Sequence, residues 1–387
     1  MQYDLDTLID RRCTESAKWR RYGDDVLPLW VADMDFPSPE PVVRALCERV
    51  EHGIFGYATE PDALREVTVE RLARRYGWNV SPEALVFIPG VVTGLNMACH
   101  AVAEPGGSVF VQTPVYGPFL GVASHAGMER EEMALTRQAD GTYCVDMDLM
   151  AAAMSERCRA FLLCNPHNPV GRVYREDELA DMAALCLERG AVIVSDEIHC
   201  DFVYDGHRHV PIASLSPEVA ARTITLLAPS KTYNVAGLCC AVAIIPDPEL
   251  RRAFSAARRG LVPGVNVMGY VAALAAYRDG QEWLDQVLAY LQANRDHLAG
   301  AVAEALPGVS MAVPEGTYLG WLDCRAIDLP GGPGEFFLRE AKVALGDGAG
   351  FGPGGEGFVR LNYGCCRGLL DDALARMARA LEVVPVA

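Results

Sequence analysis

Six short runs of apolar residues recur through the middle of the sequence and constrain its fold more than any other feature. They are ALVFIPG (84–90), SVFVQTP (108–114), AFLLCNP (160–166), AVIVSDE (191–197), TITLLAPS (223–230) and CCAVAIIP (239–246). The runs are continuous rather than alternating, which is typical of strands that are covered on both faces. Helical patterns such as EDELADMAALCLERG separate several of them. The sequence therefore predicts an α/β fold with a mostly parallel sheet.

The last third of the chain has a different pattern. It contains a long helical stretch (281–306), an alternating run TYLGWLD, a helical pattern around 334–345 and the run FVRLNYG. With 387 residues the chain is long enough for two domains. We predict a large α/β domain over residues 46–280 and a smaller α+β domain formed by residues 1–45 together with 281–387.

The glycine-rich stretch GDGAGFGPGGEG (346–357) formally contains the pattern G-x-G-x-x-G. A dinucleotide-binding loop of this kind follows a strand and opens a helix. Here no strand is predicted before the stretch, and a strand rather than a helix follows it. A flexible loop is therefore the favoured interpretation.

Charge argues against two classes of partner. The chain has 34 basic and 51 acidic residues and a formal net charge of −17. Nucleic acids and anionic lipid surfaces would be repelled by such a field, so we expect neither as a partner. A small anionic ligand would respond to local groups only.

The cysteines and the N-terminus predict a cytoplasmic protein. The 13 cysteines are odd in number, form no C-x-x-C pair, and several lie inside apolar runs, which favours buried, reduced thiols. The N-terminal residues MQYDLDTLIDRR lack the apolar region of a signal peptide. An uncharged, largely apolar stretch, residues 261–277, is slightly short for a membrane span and is interrupted by Pro263, Gly264 and Asn266. It predicts a loop followed by a core helix.

A single lysine, Lys231, follows the apolar run that ends in LLAPS. A buried, unpaired ammonium is costly and usually responds by losing its proton. A neutral amine in an apolar pocket is a good nucleophile towards carbonyl groups. Lys231 is therefore a candidate catalytic residue.

Other polar residues stand where predicted strands end, which is where open parallel sheets bind ligands. Asp196 and Glu197 end the run AVIVSDE, and His199 follows them. An ionised carboxylate at that position needs a cationic partner, although a lone buried acid can also simply cap a helix. A metal site formed by His199, Cys200, His207 and His209 is disfavoured, because the spacing fits no zinc pattern.

Three further strand ends carry candidate ligand-binding groups. The helix predicted after ALVFIPG offers free N–H groups near residues 91–93 that could hold a phosphate. Tyr116 lies just past a strand end and could stack on a flat ligand, and Asn168 could direct its amide into the crevice. Each feature taken alone is more often a plain connection, packing or a turn.

Arg360 lies in the middle of the run GFVRLNY, with apolar neighbours on the opposite face of the strand. A planar guanidinium with several N–H donors suits a carboxylate ligand. A structural salt bridge is the alternative.

Together these residues fit pyridoxal phosphate acting on an amino acid. The chain resembles, over nearly its whole length, the fold-type I, class I/II aminotransferase superfamily of pyridoxal-phosphate-dependent enzymes. It is more closely similar to the MalY/PatB branch of cystathionine β-lyases, which are cysteine C–S lyases. The likeness is carried by WVADMDFPSP (30–39), NPHNPVG (165–171), SDEIHCDFVYDG (195–206), SKTYNVAGL (230–238) and FVRLNYGCCR (358–367).

The resemblance implies a role for each matching residue. Lys231 would bind the cofactor aldehyde covalently and then move the Cα proton, and Asp196 would pair with the pyridine nitrogen. The other implied cofactor contacts are to the ring's 3-oxygen (Asn168 and His199), to the ring face (Tyr116) and to the phosphate (the backbone of Val91 and Val92, with Ser230). Arg360 would bind the substrate carboxylate, with Ala32 and Tyr57 also in contact with the substrate.

Tyr57, in GIFGYATEP, matches a tyrosine that in relatives reaches the phosphate bound by the partner subunit. The match implies a homodimer with shared active sites; simple surface packing is the alternative for a tyrosine in such a loop. In many relatives an arginine that binds the phosphate stands eight residues after the lysine, but here that position is Cys239. Ala228 also replaces a serine found in some relatives. Phosphate binding would then depend more on backbone amides, Ser230 and Tyr57.

The expected activity is a C–S β-lyase that cleaves cystathionine or another S-substituted L-cysteine to a thiol, pyruvate and ammonia. An aminotransferase or related deaminating enzyme would use the same residues, and the lyase preference comes from the branch resemblance. A cofactor-binding regulator without turnover is a third hypothesis. The resemblance places no second arginine for a distal carboxylate, which disfavours a free dicarboxylate substrate.

Overall fold

A computed structural model describes residues 2–382 of the chain. Its strands are β1 (Leu27–Pro28), β2 (Leu85–Ile88), β3 (Ser108–Thr113), β4 (Glu129–Ala134), β5 (Thr136–Arg137), β6 (Tyr143–Cys144), β7 (Cys158–Cys164), β8 (Val192–Asp196), β9 (Thr223–Leu227), β10 (Ala241–Ile244), β11 (Ser310–Met311), β12 (Leu319–Asp323), β13 (Val343–Ala344), β14 (Gly346–Asp347) and β15 (Phe358–Asn362).

The helices lie between and after these strands. They are α1 (Ala17–Arg20), α2 (Glu40–His52), α3 (Asp62–Tyr76), α4 (Val91–Val102), α5 (Pro118–His125), α6 (Met147–Ala153), α7 (Glu176–Arg189), α8 (Pro217–Ala221), α9 (Pro229–Thr232), α10 (Pro248–Ala256), α11 (Val267–Asp279), α12 (Gln281–Ala305), α13 (Pro333–Phe336) and α14 (Arg367–Leu381).

The central sheet contains seven strands in the order β2-β10-β9-β8-β7-β3-β4. Strand β10 is antiparallel to both of its neighbours, and the remaining strands run in one direction. The six apolar runs of the sequence correspond to β2, β3, β7, β8, β9 and β10. The prediction of an α/β fold with a mostly parallel sheet is therefore confirmed.

Both faces of this sheet are covered by apolar side chains. In β7, Leu162 joins a buried cluster with Leu95 of α4, whereas Phe161 joins a second cluster with Met182 of α7. Successive side chains of a strand point to opposite faces. A strand covered on both sides therefore needs an apolar residue at each position, which explains why the runs are continuous.

Strand β4 is missing from the sequence prediction. Its sequence EREEMA is largely charged, and it lies at the edge of the sheet, where it pairs with β3 alone. An edge strand exposes one side to solvent and is tolerant of charged residues. It therefore lacks the apolar pattern that revealed the other six.

A second, antiparallel sheet has the order β11-β12-β15-β14 and places Arg360 opposite Trp321. Its elements come from the last third of the chain, as does α12, which matches the predicted helical stretch almost to the residue. The proposed boundaries at residues 45/46 and 280/281 stay a prediction.

Two local predictions for the last third are wrong. The helical pattern around 334–345 yields only the short α13, a π-helical turn over Phe337–Ala341 and strand β13. The glycine-rich stretch is a packed turn rather than a flexible loop. A Cβ added to Gly348 would lie 2.1 Å from the Gly355 carbonyl oxygen, and the Val115 N–H donates to the Phe351 oxygen over 2.8 Å. Close backbone packing, which only glycine permits, orders this segment.

Each of the thirteen cysteines is a free thiol, and most are buried. Residues 261–277 form a loop followed by α11, as predicted. Within residues 2–382, no helix combines the length and apolar character that a membrane span requires. The cytoplasmic location stays a prediction.

Candidate active site

The functional residues predicted from the sequence meet at the carboxyl edge of the central sheet. Asp196 is the last residue of β8, Lys231 lies in α9 directly after β9, and Asn168 and Tyr116 follow β7 and β3. They line one cavity of about 400 Å³. Its walls are formed by Trp30, Val31, Ala32, Pro89, Gly90, Val91, Val92, Thr93, Tyr116, Cys164, Asn168, Asp196, Ile198, His199, Ser230, Lys231, Ala236 and Arg360.

An N-terminal segment, residues 30–36, closes one side of this cavity. The Ala32 carbonyl oxygen accepts hydrogen bonds from Lys231 Nζ and from the Tyr318 hydroxyl. The Asn234 side chain binds the backbone of Met34 at both N–H and C=O. Asn362 donates to the carbonyl oxygens of residues 31 and 33. Groups from three distant parts of the chain thus fix this segment against the lysine.

The Lys231 amine is buried, and its pKa is correspondingly low. Burial disfavours the ammonium form, and the charge of Arg360 adds to the effect, so the pKa of Lys231 falls from 10.5 to about 8. At pH 7 about one tenth of an amine with this pKa is neutral, roughly 300 times the neutral fraction of an ordinary lysine. The environment therefore makes Lys231 a nucleophile for carbonyl groups.

Asp196 is buried at the floor of the same cavity. Burial raises the pKa of its carboxyl from 3.8 to about 7, although a hydrogen bond from the Ile198 N–H and the charge of Lys231 lower it. That hydrogen bond, 3.1 Å long, is to Oδ1. A buried carboxyl that lacks a full cationic partner is poised to accept one. A protonated ring nitrogen would supply that charge.

Arg360 reaches into the cavity from β15. Its Nη1 donates to Asn168 Oδ1 over 2.9 Å, and its Nη2 donates to the Trp30 carbonyl oxygen over 2.7 Å. Within residues 2–382 no carboxylate pairs with this guanidinium, so the alternative of a structural salt bridge finds no partner. Burial lowers the pKa of Arg360 to about 10, and the group stays cationic at neutral pH. It can bind an anionic ligand such as a carboxylate.

His199 is a neutral imidazole in this environment. Burial, with the charges of Lys231 and Arg360, holds its pKa well below 6.5. Its Nδ1 is buried without a hydrogen-bond partner, and its ring packs edge-on against Tyr318 with centroids 5.6 Å apart. Across residues 2–382 no group of three His, Cys, Asp or Glu side chains is arranged to hold a metal ion.

The start of α4 faces the other end of the cavity. Gly90 precedes the helix with a φ of 130°, a conformation that favours glycine, and Val91 and Val92 follow with the first helical N–H groups. These groups have no partner within the helix and are suited to an anion. Ser230, in α9, lines the same region. Cys239 is exposed and is not part of the cavity wall.

Tyr57 is the one predicted site residue that the structure does not bring to the cavity. It lies in an extended, exposed stretch between α2 and α3, and its side chain is fully accessible at 111% of the reference value. Ile54 and Phe55 in the same stretch are also exposed. Within its own chain, therefore, Tyr57 is not placed to bind the ligand of this site.

Sequence reasoning missed several residues of the cavity wall. Trp30 and Val31 belong to the stretch WVADMDFPSP, which carries part of the family resemblance but predicts no role for either residue, and Cys164 lies in an apolar run that predicts only a buried thiol. Strand register could have found Cys164, because it pairs directly with Asp196 across β7 and β8. No local signal identifies Trp30, since it reaches the cavity through long-range folding of the N-terminal segment.

Comparisons with known proteins agree with this geometry. A model of the family "Aminotransferase class I and II" matches residues 24–377. Cystathionine beta-lyase PatB of Bacillus subtilis is 42% identical over 387 residues, which cover 98% of this chain and 100% of that protein. Among solved structures, OvoB superimposes with a TM-score of 0.94 at 45% identity, covering 99% of this chain and 100% of that one. Cystalysin of Treponema denticola, which contains pyridoxal 5'-phosphate, has a TM-score of 0.94 at 30% identity over 99% of both chains.

Proposed function

Because the chain belongs to the class I and II aminotransferase family, we propose that it is a pyridoxal-phosphate-dependent carbon–sulfur β-lyase. Its substrate is cystathionine or another S-substituted L-cysteine. The substrate and one water give the thiol, pyruvate and ammonium. The C–S bond breaks, the sulfur leaves with its electron pair, and that thiolate takes up the proton that completes the thiol.

The observation that carries this proposal is the arrangement of three buried groups around one cavity. Lys231 offers an amine with a pKa of about 8, Asp196 offers a carboxyl with a pKa of about 7, and Arg360 offers a guanidinium that pairs with no carboxylate within residues 2–382. An amino-acid substrate needs a base at Cα, a cation for its carboxylate and an electron sink. The first two are side chains of this protein, and the third is the cofactor.

The residues present fit pyridoxal phosphate. Its aldehyde needs a neutral amine, which Lys231 supplies, and its protonated ring nitrogen needs an acceptor, which Asp196 supplies. Its phosphate fits the free N–H groups at the start of α4, with Ser230 beside them. The buried, unpartnered Nδ1 of His199 supports a polar ligand at this position. When bound, the cofactor withdraws electrons from the substrate Cα and makes the Cα proton acidic.

The chain's own residues then bind and orient the substrate and move protons. We propose that Arg360 binds the substrate carboxylate. Its guanidinium is held in place by two hydrogen bonds, one to Asn168 Oδ1 and one to the Trp30 carbonyl oxygen. The Lys231 amine takes the Cα proton. Residues 30–36 and Tyr116 exclude water from the reacting atoms. Asp196 keeps a proton at the ring nitrogen, since a carboxylate beside it stabilises the charged form.

The proposal favours elimination over transamination because of the relatives. PatB and proteins of Corynebacterium glutamicum and Mycobacterium are named cystathionine beta-lyases or putative ones. An aminotransferase remains the second candidate, since an aspartate aminotransferase of Geobacillus stearothermophilus is 27% identical over 95% of this chain.

Incubation of the protein with S-methyl-L-cysteine separates the candidates. We expect pyruvate and methanethiol in equal amounts without any added keto acid, and neither product from Lys231→Ala. A strict requirement for a keto acid would establish the aminotransferase instead. A cofactor-binding regulator would release no product from any amino acid.

We further propose that the protein forms a homodimer in which Tyr57 completes the phosphate site of the partner subunit. The exposed apolar side chains of Ile54, Phe55 and Tyr57 support a buried interface at this stretch, because contiguous exposed apolar surface is typical of interaction sites. The end of the cavity at the start of α4, where we place the phosphate, also lacks the arginine that binds the phosphate in many relatives, because Cys239 occupies that sequence position. A hydroxyl from a second copy would supply the missing donor.

A further inference from the structure

Arg21 is exposed and stacks on an aromatic surface formed by Tyr22 and Trp30; Trp30 belongs to the wall of the active-site cavity, whereas Arg21 lies outside that wall. The carbon centre of its guanidinium is 5.2 Å from the centroid of the Trp30 ring and 5.7 Å from that of Tyr22. The two rings pack edge-to-face with centroids 6.0 Å apart. The indole N–H of Trp30 donates to the Lys18 carbonyl oxygen over 3.2 Å, which fixes the ring. Stacking of this kind orients a guanidinium without using its N–H donors.

No carboxylate neutralises this cation. Within residues 2–382, Arg21 makes no ion pair and no side-chain hydrogen bond, and its contacts with Trp30 and Tyr22 leave the N–H donors free. Arg11, by contrast, pairs with Asp33 and Asp35. The donors of Arg21 are therefore free for a ligand.

Trp30 connects Arg21 with the amino-acid site. It lines the cavity, and its carbonyl oxygen accepts a hydrogen bond from Arg360 Nη2 over 2.7 Å. A substrate whose α-carboxylate binds Arg360 therefore lies against residue 30. The substituent on its sulfur extends from Cβ, away from the α-carboxylate. An anionic group at the far end of that substituent would find Arg21 as the unpaired cation stacked on the same tryptophan.

We propose that Arg21 is a specificity-determining residue that binds a carboxylate at the distal end of the substrate's S-substituent. The proposal rests on the proposed lyase function and narrows its substrates to cysteine conjugates that carry a second anionic group. It reverses the expectation, drawn from the sequence, that no second arginine is available for a distal carboxylate. Because Arg21 is exposed, water and salt screen the interaction, and we expect a discrimination of about fivefold.

The test compares two substrates of nearly equal shape, S-(2-carboxyethyl)-L-cysteine and S-propyl-L-cysteine. The measured quantity is the ratio of their kcat/KM values, from pyruvate release by the holoenzyme. We expect Arg21→Ala to lower this ratio about fivefold, mainly through a higher KM for the carboxyethyl substrate, and Arg21→Lys to lower it less. In the unmodified protein the ratio should fall as NaCl is raised, whereas in Arg21→Ala it should not.

Arg20→Ala is the matched control, because it removes the same charge from an exposed residue one position away, and within residues 2–382 the Arg20 guanidinium does not stack on the Trp30 ring. An unchanged ratio in Arg21→Ala, or an equal fall in Arg20→Ala, would overturn the proposal. Dissociation constants for both compounds, from the change in the visible absorbance of the bound cofactor, provide a readout that does not need turnover. If neither compound gives pyruvate, the lyase function fails, and the ratio of dissociation constants still decides the role of Arg21.

Discussion

The hydroxyl of Thr232 donates a hydrogen bond to Oδ2 of Asp201 over 2.8 Å, which ties the neighbour of Lys231 to a buried carboxylate. Arg71 and Arg75 form ion pairs with the same carboxylate at 2.7 and 2.9 Å. Burial alone would raise the pKa of Asp201. The charges of Arg71 and Arg75 outweigh this effect and hold the pKa well below its usual range. Asp201 is therefore an anchor beneath the turn that carries the lysine.

We predict that Thr232→Val, which keeps the side-chain shape but removes the hydroxyl, lowers the free energy of unfolding by about 2 kcal/mol. This is the typical value of one hydrogen bond to a charged group. The looser turn should also lower kcat/KM by up to tenfold, which corresponds to about 1.4 kcal/mol. Urea unfolding and pyruvate release measure the two effects. Thr232→Ser keeps the hydroxyl and should stay close to the unmodified protein; equal losses in both variants would contradict the role given to the hydrogen bond.

The pKa of Lys231 predicts how cofactor capture depends on pH. In the protein without cofactor, burial and the charge of Arg360 lower this pKa to about 8. The fraction of Lys231 in the neutral, reactive form then increases about tenfold between pH 7 and pH 9. Above pH 9 nearly all of the amine is neutral. We expect the rate constant for capture of pyridoxal phosphate, followed by absorbance, to rise over this range and then reach a plateau. A rise that continues past pH 10 would show an ordinary lysine instead.

The raised pKa of Asp196 predicts an effect on stability without cofactor. Burial raises this pKa from 3.8 to about 7, so the folded protein holds the proton more tightly than the unfolded chain. Stability therefore falls as the pH rises from about 4 to 7, and above pH 7 the full cost, at most about 4 kcal/mol, remains. We expect Asp196→Asn to unfold at a higher temperature than the unmodified apoprotein at pH 8, but not at pH 4.

The same variant should lose at least about a hundredfold of its activity, because a neutral amide cannot hold the proton on the ring nitrogen. Asp181→Asn is a suitable control, since Asp181 is exposed on α7. It should change neither the activity nor the pH dependence of unfolding. An Asp196→Asn apoprotein that is less stable than its parent at pH 8 would disprove the desolvation argument.

The proposed exchange of Tyr57 between subunits predicts complementation. Lys231→Ala homodimers should be inactive, and Tyr57→Ala homodimers should bind the cofactor weakly. In a mixed dimer, purified through two different tags, one site combines the intact lysine of one chain with the intact tyrosine of the other. We expect about half the activity of the unmodified dimer. If Tyr57 serves its own chain, no intact site forms, and the mixed dimer gains nothing over the Tyr57→Ala protein.

The sequence by itself determined six of the seven strands of the central sheet and which polar residues stand at its edge. Strands covered on both faces require continuous apolar runs, and those runs gave the positions of β7, β8 and β9. Parallel strands end at one edge, so Asp196, Lys231 and Asn168 could be placed together before any contact was known. These inferences succeeded because they depend on local periodicity and on the direction of neighbouring strands.

Only the tertiary structure decided the closure of the cavity and the partners of its charged groups. The contact between Lys231 and the Ala32 oxygen spans 199 residues, and that between Arg360 and Trp30 spans 330. No periodic pattern encodes such distances, because they arise when the N-terminal segment folds across the sheet edge. The same holds for Arg21, whose free donors depend on which carboxylates the fold brings near and which it keeps away.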